Sequence, residues 1–584
     1  MKQLRSVLLL PALMSAPLWA GLPLESSITK DGITWTLDHA APTGQFVNGD
    51  YYVVGPVTVT AITPAPQTTA PYMNGSVLNL PTADGKSGFD QRLNDGSDES
   101  WWFNATDRVY PPIALKAGDE LVSSISLTPA QYHNVPEVMR SGDMSASPVA
   151  SVSILTVLSA EQAADAFRPS YCDRSQSIYH ANAINRALLP SMAPPNPAQT
   201  PPLSQFETWF RQPWIDMNPF LFDAPALYMP SYGQHIAFAD SYVGLLLALN
   251  FTPAQKVNLT NYFVQYGIDL YGCVRAGYGW PAFGGHRSGR KMPVLVAGLL
   301  LNDAPMQHVS ADYPNQFGED MQTVYINTIP PPGQYTRAWQ GATVIYGGHY
   351  GVQADGTPVS AGLYGPYEQL QPPAWQLLNG NEQLGEAYRR CCTSVSWVGE
   401  ALAIRLLGAQ ALWNYPAFFD YVDRWMTEDD SQAVATIKSE TGYDYTADWE
   451  RQGQTQYWLQ GEFPQYTFVD DMWKAYRGTV PTPPPPPVTT TPTSTPPPRV
   501  YPNPWRADRN ANIKVTFDQL SPGSTVKIFT LSGHHVKTLS AQNAGLSTWD
   551  MTNEPGDPVA SGIYIYSIRD SQGNSVRGKL GVIR

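Results

Sequence analysis

The chain has 584 residues, too many for a single hydrophobic core, so several domains are expected. Hydrophobic residues make up 43% and charged residues only 15%, while Tyr and Trp number 32 and 17, which predicts an unusually neutral, aromatic surface. The formal net charge of −13 argues against nucleic acid, which needs a basic face, but leaves room for an anionic substrate met by a few local Arg and Lys residues.

Lys2 and Arg5 precede a short apolar run from Val7 to Leu13, and Leu18-Trp19-Ala20 offers a small residue for cleavage before Gly21. Residues 1–20 therefore read as a signal peptide. The run is too short for a membrane anchor and is interrupted by Pro11 and Pro17, and no later segment has the length and apolarity of a span. Export permits disulfides. Of the four cysteines, adjacent Cys391 and Cys392 are poorly disposed to bond to each other, and Cys172–Cys273 is one candidate bridge. No paired CxxC is present, so no metal is expected. Neither a Walker-type loop nor a GxSxG elbow occurs, and no cofactor is expected.

Residues 21–158 read as β structure. Ile33 to Leu37 alternates, Tyr51 to Val54 and Val57 to Thr60 flank Gly55-Pro56, and Val149 to Leu158 closes the series. A β-sandwich without a catalytic cluster fits this segment. From residue 159 the period changes. Ser159-Ala160-Glu161-Gln162 has the shape of a capping box. His235 to Leu249 and Pro293 to Leu301 are nearly all apolar, as expected of helices buried on most sides. Thr252-Pro253 starts another helix with Pro at its first position. Val395, Val398, Leu402, Leu406 and Ala409 keep helical spacing. Asn414 is placed to cap a helix on which Phe418, Tyr421, Val422, Trp425 and Met426 share a face, with Asp420 and Arg424 able to pair on another and Asp423 in solvent. Buried helices alternating with amphipathic ones fit a toroid of inner and outer rings, and a plain bundle is the alternative. The stretch from 303 to 392 is rich in Gly, Pro, Tyr and Gln and reads as functional loop.

The helical region spans 159–478, and a linker follows at 479–498. Residues 481–498 contain ten prolines and cannot build a core. Extended, they would reach about 50 Å. Residues 499–584 return to β alternation. The expected fold is thus multidomain α+β: an N-terminal β-sandwich, a central (α/α) toroid-like helical domain and a C-terminal Ig-like β-sandwich after a Pro-rich linker.

Val500-Tyr501-Pro502-Asn503-Pro504, Val526 to Phe529, Leu531-Ser532-Gly533, Gly562-Ile563-Tyr564 and the closing Gly578 to Arg584 make the last module similar to the Ig-like domains of flagellar hook-capping proteins and to type IX secretion sorting domains. That resemblance implies export or surface attachment, with secretion or cell-surface machinery as partner. Gly284-Gly285-His286-Arg287-Ser288-Gly289-Arg290-Lys291 running into a buried helix, and Trp413 to Met426, make the central domain resemble (α/α) toroid polysaccharide lyases of the alginate-lyase-like and heparinase-like kind. This implies a polysaccharide substrate cut beside a uronic acid.

Such a reaction needs a group to neutralise the carboxylate, a base for the C5 proton and an acid for the leaving oxygen, roles open to Arg, His and Tyr. Two clusters supply them. His286, Arg287, Arg290 and Lys291 surround glycines at a helix mouth, and Tyr346-Gly347-Gly348-His349-Tyr350 lies in the irregular stretch. The expected catalytic residues are His286, His349 and Tyr350. Arg287, Arg290, Tyr346 and Trp375 are expected to bind substrate. Tyr232, His235, Arg389, Arg390, Trp209, Trp214, Trp280 and Trp339 rank lower, and His235 fits a core position. The rival enzyme is a glycoside hydrolase using two of Asp216, Asp240 and Glu368. A carbohydrate-binding or cell-surface protein without activity is the third reading.

Overall fold

The computed structural model describes residues 21–91, 103–128, 149–217, 227–230, 232–328, 337–353, 359, 368, 371–372, 386, 388–444, 465, 467–480, 499–510, 514–518, 520, 523–531, 533–540, 546–569 and 575–584. The chain divides into two compact units, Met1–Pro481 and Thr482–Arg584. It is a mixed α+β protein, with sheet first, helices in the middle and sheet again at the end.

In the first unit, strands β1 (Leu24–Lys30), β2 (Ile33–Gln45), β4 (Val57–Thr63) and β6 (Ile113–Leu115) form one hydrogen-bonded set. The end of β2 crosses into a second set, pairing through Thr43–Gln45 with β3 (Tyr51–Val54). Beyond β3 follow β8 (Val149–Leu158), parallel to it, then β7 (Glu120–Ser126) and β5 (Ser76–Leu78). Alternation explains the packing. Trp35, Leu37, Val57, Val59 and Ile113 of the first set meet Val53, Leu121, Leu155 and Val157 of the second in one apolar cluster. The opposite face of the second set carries Val122, Val152 and Ile154, which belong to the core of the helical region. That double coverage is why β8 reads as an almost continuous apolar run.

Helix formation does not begin at Ser159. The backbone N–H of Gln162 donates to the Tyr52 hydroxyl at 2.9 Å instead. Residues 159–202 run as turns and short 3-10 pieces. Pro169, Pro190, Pro194, Pro195, Pro197, Pro201 and Pro202 deny them an uninterrupted N–H ladder. The described helices are then α1 (Leu203–Phe210), α2 (Gly233–Ala248), α3 (Pro253–Arg275), α4 (Lys291–Leu301), α5 (Ser394–Leu406), α6 (Pro416–Thr427), α7 (Ser431–Thr441) and α8 (Phe468–Tyr476), besides several four-residue helical turns. Every residue of α2 is buried. It lies close on α5, where a methyl added to Gly399 would fall 2.4 Å from the Ser241 Cβ, so that contact requires glycine. Thr252 and Gln255 close the start of α3 as a reciprocal capping box, with Pro253 at its first position.

Three further local expectations are corrected. Asn414 has a left-handed φ of 55° and ends the short helix Gln410–Trp413, while Tyr415 occupies the cap position of α6. Asp420 and Arg424 do not pair. Arg424 reaches the buried carboxylate of Glu368 at 2.8 Å, and Asp420 accepts from the Tyr325 hydroxyl at 2.5 Å. A buried carboxylate holds a guanidinium better than an exposed one. Asp423, expected in solvent, is gripped by Arg405 and Arg477 at 2.8 and 2.5 Å.

In the second unit, β11 (Arg499–Tyr501), β13 (Val515–Asp518) and β16 (Ser547–Trp549) form a three-stranded sheet. A five-stranded sheet runs β12 (Trp505–Arg506), β18 (Ser575–Ile583), β17 (Gly562–Arg569), β14 (Thr525–Thr530) and β15 (His535–Ser540). Trp505, Phe517, Val526, Ile528, Trp549 and Leu580 build its core. No described helix in either unit is long and apolar enough to cross a membrane.

Candidate functional site

The two glycine-bearing segments expected to cooperate are brought together. Strand β10 (Val344–Tyr346) pairs with β9 (Thr323–Tyr325), and the chain turns immediately afterwards through Gly347-Gly348 to His349. The Gly284 N–H donates to the His349 carbonyl at 2.8 Å. Between the segments sits Gln322, whose amide nitrogen lies 3.0 Å from the Gly284 carbonyl and 3.1 Å from the His349 carbonyl. The Gly347 N–H returns a bond to the Gln322 carbonyl at 2.8 Å. Gln322 thus pins both loops, a role that nothing in the surrounding sequence signals.

Phe283 is the hub of the side chains. Its ring centroid lies 5.1 Å from His286, 4.9 Å from His349 and 5.4 Å from Tyr350. His349 also stands edge-on to Tyr350 at 4.9 Å and to Tyr388 at 4.4 Å. Tyr232 closes on His286 at 4.8 Å. Phe283, His286, Tyr350, Tyr388 and Tyr232 are half-buried, whereas His349 is only 3% exposed. Burial pushes the His349 imidazole down to about 4, so at neutral pH it is uncharged, and the same burial makes it a weaker base than a free imidazole. His235 is buried in α2, as a core histidine should be, and is likewise pushed down to about 4.

The cations of the first segment mostly turn inward, which corrects the expectation for Arg290. Arg290 is 1% exposed and grips Asp216 through two bonds of 2.7 and 3.1 Å. Its remaining nitrogen donates to the carbonyls of His286 and Ser288 at 3.0 and 2.8 Å, so it is an internal strut of the His286 turn. A guanidinium whose donors are already spent on a buried carboxylate has none to offer a sugar. Lys291 is buried too, donating to the Trp413 carbonyl at 2.7 Å and pairing with Asp320. Arg287 stays with the cluster, its guanidinium carbon 5.6 Å from the Phe283 centroid. Tyr346, expected on substrate, is fully buried, with its hydroxyl 3.0 Å from the Gln322 amide. It supports the turn from below. Trp375 lies outside the described residues.

The lower-ranked candidates separate in the same way. Trp214 and Trp280 are core residues, and Trp209 and Trp339 are half-buried. Arg389 and Arg390 point inward to Glu386. The carboxylates of the hydrolase reading are all interior. Asp216 is held by Arg290, Glu368 by Arg424, and Asp240 is enclosed in α2. Cys391 and Cys392 are bonded to each other, contrary to expectation, on the irregular turn Arg389–Thr393 that leads into α5. Cys172 and Cys273 are free thiols with sulfurs 3.1 Å apart. Among the described residues, no group of three or more His, Cys, Asp or Glu is placed to hold a metal ion.

Comparison with known proteins bears on the end of the chain. Residues 499–582 match the secretion system C-terminal sorting domain family. The protein is exported, to the medium or the cell surface. That module ties the chain to secretion machinery of type IX. Among solved structures the chain is similar to PorZ, a surface component of the type IX secretion system of Porphyromonas gingivalis, at 30% identity over 15% of this chain and 11% of that one, with a TM-score of 0.14. Similarity to the latent dimeric PorU of the same organism is 21% identity over 15% of this chain and 9% of that one, with a TM-score of 0.12. CopC from Methylosinus trichosporium OB3b matches at 22% identity over 12% of this chain and 74% of that one, with a TM-score of 0.10. The chain thus spans about a tenth of the length of PorZ and PorU. No curated protein matches the chain.

Proposed function

We propose that the first unit is an exported polysaccharide lyase that cuts uronate-containing chains by β-elimination. In this reading its strands form a β-sandwich, its helices an (α/α) toroid, and the second unit is an Ig-like module for export or attachment. The observation that carries the proposal is the uncharged His349 set among Phe283, Tyr350 and Tyr388, with His286 on the same Phe283 ring. His349 removes the C5 proton and Tyr350 protonates the leaving oxygen. The C5–H electrons become the C4=C5 double bond as the C4–O bond breaks. In this reading Arg287, 8% exposed with its guanidinium carbon 5.6 Å from the Phe283 centroid, neutralises the sugar carboxylate. The hydrolase alternative needs two free carboxyl groups, and the pairing of Asp216 with Arg290 and of Glu368 with Arg424 argues against it.

The mature protein is incubated with alginate, polygalacturonate, hyaluronate and xylan, following ultraviolet absorbance of unsaturated ends beside reducing ends. Rising absorbance with new ends supports the lyase. New ends alone mean hydrolysis, and retention of a polymer without new ends means a binding protein. His349→Ala should lower turnover about 10²- to 10⁴-fold with the fold intact by circular dichroism. Full activity in the folded variant would remove His349 from the reaction.

A further inference from the structure

The turn that carries the vicinal disulfide has its polarity inverted. In an ordinary surface turn the charged residues face water and the apolar ones face the core. Here Arg389 and Arg390 are 1% and 0% exposed. They are spent on Glu386 at 2.8 and 2.6 Å, and Arg390 also reaches Asp430. The half-exposed residues of the same turn are Tyr388, Cys391 and Cys392. Two guanidiniums are thus buried, at a desolvation cost met by their ion pairs, in a turn whose aromatic residue and disulfide keep partial exposure.

That face adjoins the histidine cluster directly. A methyl on Gly285 would fall 2.2 Å from the Cys392 carbonyl, 2.8 Å from its Cβ and 2.5 Å from the Tyr232 hydroxyl. A methyl on Gly284 would fall 2.6 Å from His349 Cε1 and 2.8 Å from the Tyr388 ring. The two glycines are therefore the seam between the proton-transfer groups and the disulfide turn. Gln234 donates to the Cys391 carbonyl and helps to fix the turn.

We propose that the Cys391–Cys392 bridge and the Tyr388 ring form a rigid apolar platform that holds one sugar ring of the polymer by its C–H face, next to the residue being cut. The inference rests on the polysaccharide reading and adds a binding subsite to it. Closing the bridge joins two adjacent side chains into a ring, which removes their rotamer freedom before substrate arrives. It also replaces two thiols by a sulfur surface without N–H or O–H donors, suited to carbon-bound hydrogens.

The test compares three forms of the full chain with the oxidised wild type: protein reduced with a phosphine, Cys391→Ser/Cys392→Ser, and Tyr388→Ala, which keeps the bridge. The substrate is whichever polymer of the panel is cleaved, and circular dichroism checks each fold. The expected result is a KM raised about tenfold in all three, with kcat within about twofold in the reduced and serine forms, the signature of lost uniform binding, whereas Tyr388→Ala, which also removes a ring packed on His349, is read on KM alone. An unchanged KM in the reduced protein and in folded Tyr388→Ala, or a loss confined to kcat, would overturn the platform. If the serine variant does not fold, reduction and Tyr388→Ala decide. If the wild type cleaves nothing, the lyase reading fails by itself. The platform is then judged by retention of alginate and xylan in native affinity electrophoresis. Retention lost on reduction upholds it, and no retention, or equal retention before and after, sinks it.

Discussion

The sheet region at the start of the chain and the sheet module at its end use the same alternating strands to opposite effect. In the first, β8 gives Leu155 and Val157 to the strand cluster and Val152 and Ile154 to the helical core. Charge ties the two regions as well. Arg168, fully buried, bonds Asp50 beside β3 at 2.7 Å and Asp269 on α3 at 2.5 Å. The last module draws its cluster from residues 505–582 alone, and its described buried polar side chains are Ser524 and Ser547. A sheet closed on its own core can be appended to any cargo. A sheet that lends one face to its neighbour cannot be removed.

Arg168→Met tests that difference most severely. Two buried carboxylates would lose their shared cation, and the first unit should lose about 3–5 kcal/mol in denaturant unfolding. A loss confined to a few tenths would mean that the two regions are only neighbours.

Titration gives the next contrast. Glu319 is pushed up to about 7 by burial, Asp240 is pushed well above the carboxylate range by burial and by Asp216 and Glu319, and Glu400 by burial and by Glu319 and Asp240. For a carboxyl raised from 4.5 to about 7, stability is fully present below the unfolded value and lost as pH rises through the folded one. Glu319 alone should lower stability by about 2–3 kcal/mol between about pH 5 and pH 8. The first unit should therefore melt lower at the higher pH, the last module should stay level, and Glu319→Gln should flatten the slope. An unchanged slope in folded Glu319→Gln would show that Glu319 titrates normally, since the buried His235 and His349 act with the opposite sign over the same window.

The smallest effect should come from ending the chain at Thr479. The first unit should then melt within about 1 °C of its value in the full chain and keep its activity on soluble polymer, while surface retention is lost. A large drop in either quantity would erase the contrast.

Much of this was legible in the sequence, for identifiable reasons. The buried helices α2 and α4 showed because their apolar runs leave no polar face, and the start of α3 because Thr252, Pro253 and Gln255 satisfy backbone donors locally. The meeting of His286 with His349 followed from complementary chemistry. Partnership of charges was not legible. Arg290 and Arg287 sit on one short loop and read alike, yet Asp216, seventy-four positions before Arg290, pairs with the first, while the second lies over the Phe283 ring. Gln322 was missed because a glutamine that bonds backbone carbonyls leaves no pattern. The Cys391–Cys392 bridge was discounted on general geometry, and the turn Arg389–Thr393 that accommodates it has no local signature.

The Arg168 ion cluster also orders events in time. Asp50, Arg168 and Asp269 lie far apart along the chain, so a growing polypeptide holds Asp50 without its counter-charge until Arg168 arrives, and holds Arg168 incompletely neutralised until α3 is made. Glu120, buried on β7 and pushed up to about 8, has Arg168 and Arg174 as its nearby cations, and both are also made later. The strands can pair early, since their ladders are local, but one face stays greasy and its acids stay unmatched. Long-range closure of this kind is slow. Residues 21–158 made alone should accordingly aggregate rather than fold, and the exported chain depends on whatever keeps it soluble until residue 275 has been synthesised.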